Sequence, residues 1–81
     1  MNERIRRVIE QFAKLPIGVA SISDRDDLYQ AGLTSHASVN LMLALEDEFD
    51  IEFPESMLKR QTFESIEAIA TALIELAVEA A

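Results

Sequence analysis

Apolar residues recur at helical spacing in three long stretches, separated by segments that hold no period. Ile5, Val8, Ile9, Phe12 and Leu15 line one side of the first stretch, with Arg4, Arg6, Arg7, Glu10 and Lys14 on its other faces. The pattern predicts an amphipathic helix over about residues 3–15. Asn2 is placed to cap it, Glu3 suits its first turn, and Pro16 and Gly18 end it. Residues 16–34 lose the period and are rich in Pro, Gly, Ser and Asp, which predicts a long connection. Val19, Ile22, Leu28 and Leu33 are its expected anchors, and Gly32 offers a position free to take positive φ.

The period returns at Leu41, Leu45 and Phe49, with Ser38, Met42 and Ala44 filling out the buried side of a second helix over 35–49. Thr34 or Ser35 is its cap. Pro54 suits the first position of a short third helix, 55–60, with Glu55 in its first turn and Met57 and Leu58 facing inward. Thr62 is the expected cap of the last helix, 63–78, whose stripe is Phe63, Ile66, Ile69, Ala70, Leu73, Leu76 and Ala77. The fold class is therefore all-α: a four-helix bundle with a short third helix and a long loop between the first two helices. Leu41, Leu45, Phe49, Phe63, Ile66 and Leu73 are expected in one core, and residues 1–81 in a single domain.

Composition narrows the partners. The net charge of −8 is concentrated in residues 26–58, which hold eight carboxylates and no Lys or Arg. An acidic centre of this kind repels phosphate backbones and anionic lipid, so neither nucleic acid nor a membrane surface is expected as a partner, whereas basic protein surfaces are. Glu10, Gln11 and Lys14 interrupt any signal-peptide core after the early arginines, and no apolar run approaches a membrane span. A cytoplasmic monomer is expected.

The chain holds almost nothing with which to run a reaction by itself, and it is not expected to be an enzyme. One histidine and no cysteine make no ordinary His/Cys metal site. The acidic runs around Asp24 and Asp47 lack the glycine and closing glutamate of a calcium loop, and Gly18 and Gly32 are too far apart to cradle a phosphate. Ser35 and His36 are neighbours at a helix start and point about 100° apart, which is poor geometry for a nucleophile and its base. Ser35 is the one hydroxyl that combines a helix N-terminus, a preceding Gly32-Leu33 turn and an apolar helix behind it. Ser23 belongs to the loop and Ser38 sits a turn inside the helix.

An ordered set of residues across 27–66 resembles the central part of an acyl carrier protein. It comprises Leu28, then Ala31-Gly32-Leu33-Thr34-Ser35-His36, then Val39, Leu41, Leu45, Glu46, Asp47, Glu48 and Phe49. Phe53-Pro54 follow, and Thr62, Phe63 and Ile66 match the approach to the last helix. The resemblance implies that a phosphopantetheinyl transferase attaches 4′-phosphopantetheine from coenzyme A to Ser35, and that the added thiol carries an acyl or aminoacyl thioester. A helix N-terminus suits the phosphodiester, and the missing cysteine fits a thiol that belongs to the prosthetic group.

Four positions depart from the general pattern. Thr34 stands where an aspartate is usual, His36 where leucine or methionine is, Ala31 where leucine is, and Asn40 where an acidic residue is common. The stretch from Asp27 to Val39 and the later Glu-Phe-Pro look more like the discrete aminoacyl carrier proteins, which implies an amino acid as cargo and a ligase related to aminoacyl-tRNA synthetases as the loading enzyme. A fatty-acid or polyketide carrier is the alternative, and an unmodified helical interaction domain on the same fold is another. Downstream acyl-transfer enzymes are the further partners implied. Thr34, His36, Val39, Asn40, Leu43, Glu46 and Asp47 are the expected docking residues beside Ser35.

Overall fold

The computed structural model describes residues 2–13, 15, 16 and 18–80. They form three α-helices and no strand: α1 (Asn2–Phe12), α2 (Ser35–Phe49) and α3 (Ile66–Ala80). Single 3₁₀ turns at Val19–Ser21, Glu55–Met57 and Arg60–Phe63 connect them. Helix α1 packs against both α2 and α3, and the apolar stripes of the three meet in one core. Ile5, Ile9, Leu28, Leu41, Leu45, Ile66 and Ile69 are fully buried there, with Phe63 and Leu73 beside them. Phe49 only edges this core; the Arg4 guanidinium covers its ring at 4.4 Å.

The expected short third helix is not α-helical. Its segment folds as two 3₁₀ turns, closed by bonds from Met57 N–H to the Pro54 carbonyl (2.9 Å) and from Thr62 N–H to the Lys59 carbonyl (3.2 Å). A run this short gains too few i→i−4 bonds to offset helix nucleation, and the tighter turn closes at lower entropic cost. Met57 packs against the core as expected, but Leu58 is 49% exposed. Thr62 lies buried inside the second turn rather than capping the last helix. Ser65 takes that role, its hydroxyl accepting from Ala68 N–H at 3.0 Å.

Helix α1 is shorter than its apolar period. It ends at Phe12 because Pro16 disfavours helical backbone at Leu15 and supplies no N–H of its own; Lys14, within the expected helix, lies outside the described residues. The buried line runs through Ile5, Ile9 and Ala13, which leaves Phe12 45% exposed at its edge. Asn2 does not cap the helix. Its amide donates to the Asp24 carboxylate at 3.0 Å.

The connection from α1 to α2 is held by α1 itself. Arg6 donates to the carbonyls of Val19 (3.0 Å) and Ile22 (2.8 Å) and to Asp24 Oδ1 (2.7 Å). Ile22, Leu28 and Leu33 are buried as expected and Val19 half-buried. Backbone bonds from Leu28 N–H to the Glu64 carbonyl (2.7 Å) and from Glu67 N–H to the Asp24 carbonyl (2.9 Å) tie the far side to the approach to α3 and to its first turn. The hydrogen bonds from Arg6 and then Asn2 hold the Asp24 carboxyl below its ordinary 3.8, and bonds from Ser23 do the same for Asp26. A carboxyl lowered by folding stabilises the fold above the ordinary value and loses that contribution as pH falls through the lowered one. Asp24→Asn is therefore expected to flatten the loss of stability below about pH 4, measured by urea denaturation across acid pH.

Candidate functional site

The site is built where the connection turns into α2. Asp27 Oδ1 accepts from Tyr29 N–H (2.8 Å) and Gln30 N–H (3.3 Å), folding the chain back so that Leu33 N–H reaches the Leu28 carbonyl (2.9 Å). Gly32 completes the reversal at φ +117°, and a Cβ there would lie 2.5 Å from Pro16 Cδ. Both the dihedral and the close approach require glycine. Gly32→Ala is expected to destabilise the domain by about 1–3 kcal/mol from backbone strain alone, read from its chemical denaturation midpoint.

Thr34 then leaves the turn in extended conformation, and its hydroxyl oxygen accepts from Ala37 N–H at 3.0 Å. Thr34 is thus the cap, which leaves Ser35 as the first helical residue, exposed and with its hydroxyl bonded to nothing among the described residues. The two competing serines are engaged or remote. Ser38 is half-buried and donates to the Ser35 carbonyl at 2.7 Å, and Ser23 lies in the connection beside Asp26.

A groove of about 400 Å³ opens at Ser35. Ser38, Val39 and Met42 continue it along α2, while Tyr29, Leu58, Lys59, Arg60 and Phe63 line it from the connection and the 3₁₀ turns. No carboxylate lines it. Arg60 stacks on the Tyr29 ring at 4.1 Å, and burial pushes the Tyr29 phenol above its ordinary value. The surroundings fit a phosphodiester: an exposed hydroxyl, a helix N-terminus with unpaired N–H groups, and two cations. No cluster of His, Asp or Glu among the described residues is arranged to hold a metal ion.

The residues expected to dock partners fall on two neighbouring faces of α2. Val39 is 52% exposed and shares the groove with Ser35. Asn40, Leu43 and Asp47 line a second depression, against Gln11 and Phe12 of α1. His36 is exposed in the first turn. Glu46 is half-buried and carries structure: its carboxylate accepts from Phe53 N–H at 2.9 Å, holding the chain as it leaves the helix. The groove's far wall, Tyr29 and Leu58 to Phe63, was not legible from spacing. One signal was present, since Lys59 and Arg60 are the first cations after the acidic stretch.

A capped helix start presenting a free serine beside a carboxylate-free groove is the geometry of a carrier domain. The chain matches the phosphopantetheine attachment site family over residues 3–73 and belongs to it. It is 54% identical over 69 residues to the aminoacyl carrier protein of Agrobacterium fabrum, covering 85% of this chain and 83% of that relative. The fold superimposes with a TM-score of 0.90, at 50% identity over 91% of this chain and 99% of the other, on a chain in the crystal structure of an engineered Bradyrhizobium japonicum glycine:[carrier protein] ligase complexed with carrier protein from Agrobacterium tumefaciens and AMP. A second match, TM-score 0.76 and 32% identity over 88% of this chain and 95% of the other, is to the Bradyrhizobium japonicum glycine:[carrier protein] ligase complexed with glycylated carrier protein. The protein is a carrier rather than an enzyme, and its cofactor is covalently attached 4′-phosphopantetheine. The resemblance drawn from residues 27–66 is borne out.

Proposed function

We propose that Ser35 carries the phosphopantetheine and that the cargo is an amino acid, glycine first among candidates, loaded by a ligase of the kind that binds the related carriers. The observation that carries the assignment is the division of labour at the helix start: Thr34 caps, so the Ser35 hydroxyl is free to be modified. The first-turn N–H groups of α2 stabilise the anionic linkage once formed. The prosthetic group supplies the thiol, and the protein positions and presents it. In this reading the turns over 55–63 stand in for the short third helix of a four-helix bundle, and the long connection from α1 delivers the chain to Ser35. In the same reading residues 1–81 act as one monomeric carrier domain in the cytoplasm, built on a single core; no described helix is long and apolar enough to cross a membrane. The identity to a named aminoacyl carrier protein supports the cargo.

The test follows the chemistry in order. Incubation with coenzyme A, Mg²⁺ and a phosphopantetheinyl transferase should add one phosphopantetheine by intact mass. ATP, glycine and a glycine:[carrier protein] ligase should then add a glycyl group that neutral hydroxylamine releases. Loading of fatty acyl groups but no amino acid would reassign the carrier to fatty-acid or polyketide chemistry. A folded chain left unmodified by several promiscuous transferases would make it an interaction domain.

Docking is expected along α2 through His36, Val39, Asn40, Leu43 and Asp47. Because Glu46 holds the Phe53 N–H, Asp47 is the cleaner site for a charge reversal. Asp47→Lys should slow association with the ligase by about threefold to tenfold at low salt, and less at high salt, without loss of folding. Stopped-flow association rates at two ionic strengths decide this, and equal rates for both proteins would place docking elsewhere.

A further inference from the structure

The groove at Ser35 has a charge pattern unlike the rest of the molecule. Residues 26–58 contain no cation, yet the next two, Lys59 and Arg60, fold back onto the wall of this groove. Elsewhere Arg4, Arg6 and Arg25 are matched to Glu48, Asp24 and Glu67, and Arg7, on the exposed side of α1, lines no groove with Ser35. Lys59 and Arg60 have no carboxylate partner among the described residues, in a chain with fifteen Asp and Glu. Asp27 and Glu64 are near enough to act on the Tyr29 phenol, but neither lines the groove.

Arg60 is oriented by its stack on Tyr29. A guanidinium held by its face keeps the N–H donors around its edge available for an oxyanion, with little further entropy to lose on binding. Lys59 adds a second charge on the same wall. Beyond the cations, Val39, Met42, Leu58 and Phe63 offer apolar surface continuing from Ser35 for two turns of α2, about 10 Å at 1.5 Å per residue.

We propose that Lys59 and Arg60, with Arg60 braced on Tyr29, are positioning residues that hold the phosphodiester on Ser35 and so lay the start of the arm along this groove. The proposal rests on Ser35 being the attachment site. Its consequence is a resting position for the unloaded arm, from which a partner must draw it out. The two cations supply the hold that the acidic surface around them would otherwise oppose.

The experiment compares apo and phosphopantetheinylated forms of the wild type, Lys59→Gln, and the double variant Lys59→Gln/Arg60→Gln. Intact mass verifies modification, ¹H–¹⁵N spectra locate its effect, and thermal melts give the Tm change on modification. In the wild type, modification should shift the amides of Tyr29 and of residues 58–63 as well as those next to Ser35, and should raise Tm at low salt. The double variant should still be modified but should lose that rise and the distant shifts. Lys59→Gln, which leaves the Tyr29 stack intact, should show a smaller loss of both and serves if the double variant does not fold. About 0.5 M NaCl should diminish the wild-type rise, since screening at that ionic strength is within a few ångströms. Shifts confined to residues 34–38 in the wild type, or an undiminished Tm rise in the variants, would overturn the proposal. A wild type that gains no mass would overturn the Ser35 assignment itself, a result distinguishable by mass alone.

Discussion

Ser35→Ala is expected to abolish the phosphopantetheine mass increment completely while leaving the protein folded. Both halves follow from the helix start. The serine contributes no side-chain hydrogen bond among the described residues, and the cap belongs to Thr34. Alanine at a first helical position keeps good helix propensity, so the change in stability should be within about 0.5 kcal/mol. Thr34→Ala is the matched control. It should cost about 0.5–2 kcal/mol through the lost cap and still accept the cofactor. Circular dichroism and intact mass on the two variants separate a missing nucleophile from a damaged fold. Residual modification of Ser35→Ala would move the attachment to another hydroxyl, Ser38 being the nearest on the same helix.

Leu45→Ala should be the most damaging of the conservative core changes on α2, at about 2–5 kcal/mol. Its side chain is fully buried, one turn beyond Leu41 and in the same cluster as Ile5 and Ile66. With three α-helices and no cysteine, the domain has neither spare core nor a covalent tie to offset the cavity. Each kcal/mol lost in a domain this size lowers Tm by about 4–8 °C, so the variant should be partly unfolded well below the wild-type midpoint. Leu43→Ala, two residues earlier but 52% exposed, should cost far less and should instead weaken partner binding. Urea denaturation of the pair checks both. A loss below about 1 kcal/mol at Leu45 would contradict the core described above.

Some features were legible because they depend on neighbours in sequence. The three α-helices follow from apolar residues three and four apart, and α2 starts at Ser35 as its pattern requires. Gly32 announces a reversal, and its positive φ is the local reason that no other residue suits it. The serine proposed as the attachment point is readable for the same cause: turn, cap, exposed hydroxyl and apolar helix are consecutive, so their geometry is set by backbone rules acting over a few residues.

What tertiary structure decided depended on which distant groups compete for the same contacts. Thr34 and Ser35 are both capping residues by type, and the fold settles which hydroxyl accepts the Ala37 N–H and which stays free. Glu46 and Asp47 look alike in an acidic run, yet only Glu46 meets the Phe53 N–H where the chain turns back. Phe12 belongs to the apolar period of α1 but is left at the surface beside Leu43, because the buried line of that helix runs through Ile5, Ile9 and Ala13. The segment 55–63 gives up α-helix for two tighter turns, since burying Thr62 and Phe63 against α3 and setting Phe63 edge-on to Phe53 at 5.2 Å favour that course over a short isolated helix. Those turns bring Lys59 and Arg60 to Ser35, a juxtaposition no spacing along the chain encodes, because it exists only once the loop, α2 and the turns have packed together.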